Sequence, residues 1–220
     1  MREFWRNNGL SLALLGLFLF SWVGQAVAGL SHYNDEQRQH GQPTVALPQY
    51  LATSHFWEAT FENWESEFLQ MAVFVLLTAV LYQRGSSESK RIGVIETVDV
   101  DPREVTAIDA PWPVRRGGVI LRLYEHSLGL ALVSLFLVSI IGHAVAGWHH
   151  YNEEQIAHAS PTTSLAEFVS GSEFWFQSFQ NWQSEFLSIM AMVVLTIFLR
   201  QRGSPESKPV YAPHADTGRD

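Results

Sequence analysis

The sequence has 220 residues, of which 47% are hydrophobic and only 16% charged, and its formal net charge is −8. Charged residues usually make up about a quarter of a water-exposed protein, so this composition indicates a chain that hides much of its surface from water. The absence of cysteine excludes disulfides, thiolate metal sites and thiol catalysis. The acidic balance disfavours nucleic acid as a partner.

Four segments of the chain are nearly free of charge: residues 10–30, 68–82, 128–148 and 186–199. The first and third have 21 residues each, which as helices reach about 31 Å, the thickness of a bilayer's hydrocarbon core. The second and fourth are shorter, so a span must begin about one turn earlier, near Trp64 and Trp182, where interfacial tryptophans are frequent. The sequence therefore predicts an all-α integral membrane protein with four transmembrane helices.

The positive charges predict which way these helices cross. Of the 14 lysines and arginines, all but Arg38 lie before the first apolar segment, between the second and the third, or after the fourth. By the positive-inside rule, both termini and the linker are expected in the cytoplasm. The loops 31–67 and 149–185 are then extracytoplasmic.

The two halves of the chain match at a constant shift of 118 residues, without a gap. "SWVGQAVAGLSHYNDEQ" (21–37) and "SIIGHAVAGWHHYNEEQ" (139–155) share 11 of 17 residues. An ungapped match of this extent indicates an internal duplication, and two spans per copy give parallel repeats. The organisation predicted along the chain is repeat unit 1 at 1–90, a cytoplasmic linker at 91–118, repeat unit 2 at 119–208 and a disordered tail at 209–220.

Three blocks carry a resemblance to a known group of proteins. "NWESEFLQ" (63–70), "NWQSEFLS" (181–188) and the pair "QRGSSESK" and "QRGSPESK" resemble a bacterial family of tandem-repeat, four-span membrane proteins of unknown function. The resemblance extends over nearly the whole chain. It implies a bacterial inner-membrane protein and carries no activity with it.

A His-x3-Glu-x3-His stretch occurs twice, each time directly after an apolar segment. If the preceding helix continues, such spacing puts all three side chains on one helical face. Imidazole and carboxylate are ligands for zinc, iron or manganese. The candidate metal ligands are His32, Glu36, His40, His150, Glu154 and His158. The competing interpretation is a polar cap that holds an interfacial helix in place.

The sequence does not decide whether the protein binds a cofactor, and two kinds are considered: a divalent metal and haem. A divalent metal is possible, but the di-metal carboxylate bundles space Glu and His by three residues rather than four. Haem is disfavoured, because the intramembrane His143 has Gln25 as its counterpart, so a symmetric bis-histidine site fails.

Two carboxylates, Glu67 and Glu185, fall just inside the predicted apolar zone, with Asn63 and Asn181 one turn earlier. Acidic residues in such places often belong to ion or proton pathways, so these four residues are candidates for one. The alternative is that both carboxylates extend toward water.

Small residues recur at helical spacing in the first and third apolar segments. Gly24 with Ala28, and Gly142 with Ala146, form small-xxx-small patterns, which allow close helix packing in a membrane. We therefore expect the partners to be the lipid bilayer and a second membrane protein, another copy of the chain included.

No phosphate-binding loop, dinucleotide fingerprint, nucleophile elbow or HExxH motif is present. The sequence thus favours a non-enzymatic structural or interaction module with a polar extracytoplasmic lip formed by the two outer loops. Two alternatives stay open: a proton- or ion-coupled transporter or channel, and a metal-dependent membrane oxidoreductase. Polar residues stop near the outer third of each span, which disfavours a simple pore.

Overall fold

A computed structural model describes residues 2–105 and 109–218. Over those residues the chain is all-helical and contains no strand, which confirms the predicted class. Besides one short 3₁₀ turn at Thr97–Asp99, its helices are, in order: α1 (Arg2–Gln39), α2 (Leu47–Tyr50), α3 (Ser54–Val80), α4 (Trp112–Arg116), α5 (Gly118–Glu125), α6 (Ser127–Ala157), α7 (Leu165–Ser170) and α8 (Ser172–Phe198).

Three of the described helices, α1, α6 and α8, are long and apolar enough to cross a membrane. This corrects the predicted number of four, since α3 does not belong to the set. The reason lies in the half of α3 that would enter the bilayer. It carries Glu65 and Gln70 where α8 has Gln183 and Ser188, so it is both more charged and less hydrophobic. Three apolar helices still indicate a membrane-associated, multi-pass protein.

The chain divides into two structural units, and the first comprises Met1–Phe61 with Ile141–Phe174. Its hydrophobic core forms where α1, α2 and the first turn of α3 meet. Ala26, Tyr50 and Phe56 are buried there, and burying a large side chain of this kind contributes about 1.5–3 kcal/mol. Further apolar residues pack around them: Trp22, Leu30, Tyr33, Val45 and Trp57.

An asparagine clamp folds the chain back after α1. The Asn34 side chain donates to the Val45 carbonyl (3.0 Å) and accepts from the Val45 amide (2.7 Å). The same two bonds join Asn152 and Thr163 after α6, at 3.0 and 2.8 Å. Because the clamp satisfies both backbone groups of an extended residue, it fixes the return of the chain. The N-terminal turn of α3 is thereby brought beside the last turns of α1.

The second unit comprises Glu62–Ile140 with Trp175–Asp220. Its most unusual feature is Lys208, whose buried ammonium group donates to the carbonyl of Gly85 (2.6 Å) and to those of three tail residues, Pro213, His214 and Asp216. Gly85 has a φ of +88°, and a Cβ there would lie 2.7 Å from the His214 carbonyl oxygen. The sequence predicts a disordered tail at 209–220; within it Pro213, His214 and Asp216 accept these hydrogen bonds, and 219–220 lie outside the described residues.

Candidate metal-binding site

The site begins on α1, which continues as a helix to Gln39, beyond the apolar segment. His32 and Glu36 are four residues apart and lie on one face, with His32 Nε2 3.3 Å from Glu36 Oε1. A tetrahedral ion with bonds of 2.0–2.1 Å separates its ligand atoms by about 3.3 Å. The pair therefore already has the separation of two ligands on one metal ion.

His55, in the first turn of α3, supplies a third ligand. One ligand atom each from His32, Glu36 and His55 lie within 4.8 Å of one another. Only small side-chain rotations are needed to bring the three onto a common ion. This is the one group of three in residues 2–105 and 109–218 whose ligand atoms converge so closely.

A buried tyrosine orients the His55 ring. Tyr50 is 1% exposed, and its hydroxyl lies 3.0 Å from His55 Nδ1. The Tyr33 ring lies 5.6 Å from that of Tyr50 and 5.5 Å from that of His55. With Nδ1 occupied by the tyrosine hydroxyl, Nε2 is the nitrogen left for an ion, which is the arrangement of a metal-ligating histidine with an outer-shell partner.

The electrostatics keep His55 in the form that binds metals. Burial lowers the pKa of His55 to about 4, and the nearby His150 lowers it further, while Glu36 acts in the opposite direction. Burial and the Glu36 carboxylate raise the pKa of Tyr50. At neutral pH His55 is therefore a neutral imidazole, and Tyr50 keeps its proton.

A second His–Glu pair, on α6, lies against the first. The ring of His150 is 5.0 Å from that of His55. His150 Nε2 is 3.7 Å from Glu58 Oε2 and 3.9 Å from Glu154 Oε1. The neighbouring Glu153 accepts a 2.6 Å hydrogen bond from the Ser54 hydroxyl, which ties α6 to the start of α3.

A cavity of about 350 Å³ opens beside these residues, and six of the side chains that line it are titratable: Tyr33, Glu36, His40, His150, Glu153 and Glu154. Arg38 is the single lysine or arginine in 31–67, and 149–185 has none. The guanidinium of Arg38 forms an ion pair with the Asp35 carboxylate at 2.7 Å. The cavity is thus lined by carboxylates with few counter-cations, which attracts cations.

The structure brings together some of the predicted ligands and separates others. His32 and Glu36 join the three-residue cluster, and His150 and Glu154 lie next to it. His40 and His158 follow the last residues of α1 and α6, and their rings contact each other at 5.1 Å. Sequence analysis missed His55 and Glu58. The two residues are three apart in the first turns of α3, and this spacing, which puts both on one helical face, is the sequence pattern that could have identified them.

The predicted ion or proton residues lie in the second unit. Glu67 and Asn63 are exposed, and Glu185 is half-buried. Asn181 donates to Glu62 at 2.6 Å. The fully buried carboxylate is Glu65 instead, which accepts a 2.9 Å hydrogen bond from the indole nitrogen of Trp182.

The predicted packing residues differ in their surroundings. Nothing lies within 4 Å of a Cβ built on Gly24, and Ala28 is exposed. A Cβ on Gly142 would lie 2.6 Å from the ring of Phe61, while Ala146 is half-buried. On α1 the tight position is Gly29, where a Cβ would overlap the Tyr50 hydroxyl.

The described chain is thus all-helical, with three apolar helices of the kind that indicates a membrane-associated, multi-pass protein, and with a histidine–carboxylate cluster at one end of the first of them. The chain belongs to the family described as Domain of unknown function (DUF6766), whose model matches residues 1–219. Comparison with curated proteins and with solved structures gives no match.

Proposed function

We propose that this protein is a non-enzymatic module of the bacterial inner membrane whose polar extracytoplasmic lip binds a divalent transition-metal ion. His32, Glu36 and His55 are the ligands. The observation that supports this most directly is the convergence of their ligand atoms within 4.8 Å. The ion would link α1 to α3 and so give the lip a fixed surface, on which another copy or a second membrane protein can dock.

The ligand set narrows the class of ion. Two imidazoles and one carboxylate, without thiolate, suit zinc, iron or manganese rather than a soft copper(I) site. Three protein ligands leave a fourth position for water or a further side chain. Neutral histidines are required for binding, and the low pKa of His55 keeps that ring available.

The test is metal binding by the full chain, purified in detergent and stripped with a chelator. Titration with Zn²⁺, followed by calorimetry and elemental analysis, is expected to give at least one bound ion per chain. His55→Ala should remove one ion, whereas His149→Ala, the matched control on an exposed neighbouring histidine, should remove none. Equal zinc content in the two variants would contradict the proposal.

The orientation is tested by cysteine labelling, for which a chain without cysteine is well suited. With a membrane-impermeant maleimide on whole cells, Thr44→Cys should react, while Asn7→Cys and Ile95→Cys should react only after permeabilisation. Ile95 lies in the linker that follows α3, and α3 is not among the three apolar helices. Labelling of Ile95→Cys therefore tests whether α3 crosses the membrane. Its labelling in intact cells would place the linker outside.

A second candidate function is proton- or ion-coupled transport, and the buried carboxylate of Glu65 favours it. Acids buried in a membrane protein close to its apolar segments often belong to such pathways. Ion or proton flux measured in proteoliposomes should then fall in Glu65→Gln. It should stay unchanged in Glu67→Gln, since Glu67 is exposed. The identity of the ion in protein isolated from cells tests the oxidoreductase alternative. Zinc would contradict it because zinc has no redox chemistry, whereas iron or manganese would support it.

A further inference from the structure

We propose that the lip holds two metal ions per chain, the second bound by His150, Glu154 and Glu58. This inference rests on the proposed function, because the second ion would lie next to the first. In this proposal Glu58 is a metal ligand, and His150 and Glu154 bind an ion in the same way as His32 and Glu36.

The N-terminal turns of α3 supply a side chain to each His–Glu pair. On α1, His32 and Glu36 are joined by His55. On α6, His150 is joined by Glu58, which follows His55 by three residues. Residues three apart on a helix lie on one face, so a single face of α3 serves both pairs.

Two carboxylates approach His150, in a set more open than the one around His32. The His150 Nε2 atom has Glu58 Oε2 at 3.7 Å and Glu154 Oε1 at 3.9 Å, each slightly more than the roughly 3.3 Å between ligands on a tetrahedral ion. The Glu154 side chain is 56% exposed. Its carboxylate can therefore swing onto an ion held by the other two.

The position of Glu58 depends on a glycine in α6. Glu58 is 7% exposed, and a Cβ on Gly147 would lie 3.1 Å from Glu58 Oε1. The Glu58 carboxylate is thus held against α6, 3.7 Å from His150 Nε2, where it can join an ion bound by that imidazole.

The charges and the cavity agree with two ions. Glu36, Glu58, Glu153 and Glu154 bring four negative charges to this region, which two divalent cations would balance. Glu36 from the first set and His150 and Glu154 from the second line the same 350 Å³ cavity. Both ions would thus be reached from one opening.

The experiment counts zinc ions in the full chain. Protein in detergent is stripped, equilibrated with excess Zn²⁺, dialysed and analysed for zinc per chain. We expect two in the natural sequence, one in His32→Ala and one in Glu58→Gln. Glu173→Gln, an exposed glutamate at the start of α8, should keep two. Circular dichroism and gel filtration identify any variant that fails to fold, and His150→Ala then replaces it as an independent test.

The outcomes separate the two proposals. Two ions, with one lost in each variant, support both. One ion that disappears in His32→Ala and stays in Glu58→Gln supports the first site and overturns the second. One ion that disappears in both variants overturns the second ion and makes the six residues a single site. No bound zinc in any sample overturns both proposals.

Discussion

Gly29 makes room for the tyrosine that orients His55, so it tests the site without changing a ligand. A Cβ at this position would overlap the Tyr50 hydroxyl, which accepts or donates the hydrogen bond with His55 Nδ1 at 3.0 Å. Gly29→Ala must therefore displace the tyrosine. His55 then loses the partner that fixes its ring, while His32 and Glu36 keep their positions.

The expected loss of affinity follows from what such partners contribute. Removing the outer-shell partner of a metal-ligating histidine costs about 10–100-fold in affinity, or ~1.4–2.7 kcal/mol. Gly29→Ala should weaken Zn²⁺ binding within this range. Tyr50→Phe, which removes the hydroxyl and keeps the ring, should weaken it similarly.

The matched control is Gly24→Ala on the same helix. Nothing lies within 4 Å of a Cβ at that position. Both substitutions gain about 0.5–1 kcal/mol from helix propensity, so a difference between them reports on Tyr50 alone. Zinc affinity is measured by calorimetry on stripped protein in one detergent and at one pH.

The result that would refute this reasoning is equal zinc affinity in Gly29→Ala and Gly24→Ala, with Tyr50→Phe also unchanged. In that case the tyrosine would be a packing residue without influence on the histidine. If Gly29→Ala lost zinc affinity while Tyr50→Phe kept it, the loss would come from a displacement of α2 and not from the missing hydroxyl hydrogen bond.

Three further predictions concern separate parts of the chain. In metal-free protein, stability should fall as the pH drops from 6.5 to about 4, because unfolded His55 takes up a proton there and the buried ring does not; thermal unfolding of His55→Asn should show a smaller fall. Gly142→Ala should cost about 1–3 kcal/mol of stability, since the ring of Phe61 lies where the methyl group must go, and a lower melting temperature in detergent would show it. Lys208→Met removes the donor to the tail carbonyls, so limited proteolysis should cut residues 209–218 faster.

Each of these predictions has a control in the same chain. For the pH profile the control is the natural sequence, measured beside His55→Asn in the same buffers. Gly16→Ala, where nothing lies within 4 Å, should not lower the melting temperature. Lys90→Met alters the matching lysine, which donates to Ala79 and Asp99 rather than to the tail, and should leave tail cleavage slow. Equal behaviour of variant and control would contradict the corresponding prediction.

The helices could be predicted because they depend on local pattern. Charge-free runs of about 20 residues specify long helices; α1 and α6 contain such runs, and α8 covers most of a shorter one of 14 residues. The number of candidate spans was harder to predict, because Glu65 and Gln70 weaken α3 only slightly relative to α8.

The candidate site could be predicted only in part, for a similar reason. His32 and Glu36 follow from helical spacing, as do His150 and Glu154. His55 comes to them through the return of the chain after α1, which the Asn34–Val45 clamp sets. No periodicity in the sequence encodes a contact of this kind. The hydrogen bonds that create it are visible only once the backbone is in place.

The match between the two halves of the sequence also accounts for why His55 and Glu58 escape a search for repeated motifs. The positions 118 residues further on hold Glu173 and Phe176, so neither residue recurs. A helical His–Glu pair can be copied with its helix, because its geometry is internal to that helix. The third ligand belongs to a different helix and must face both pairs at once. In the proposed two-ion arrangement α3 contacts both His–Glu pairs, and it differs from α8 at the two positions that would hold the ligands.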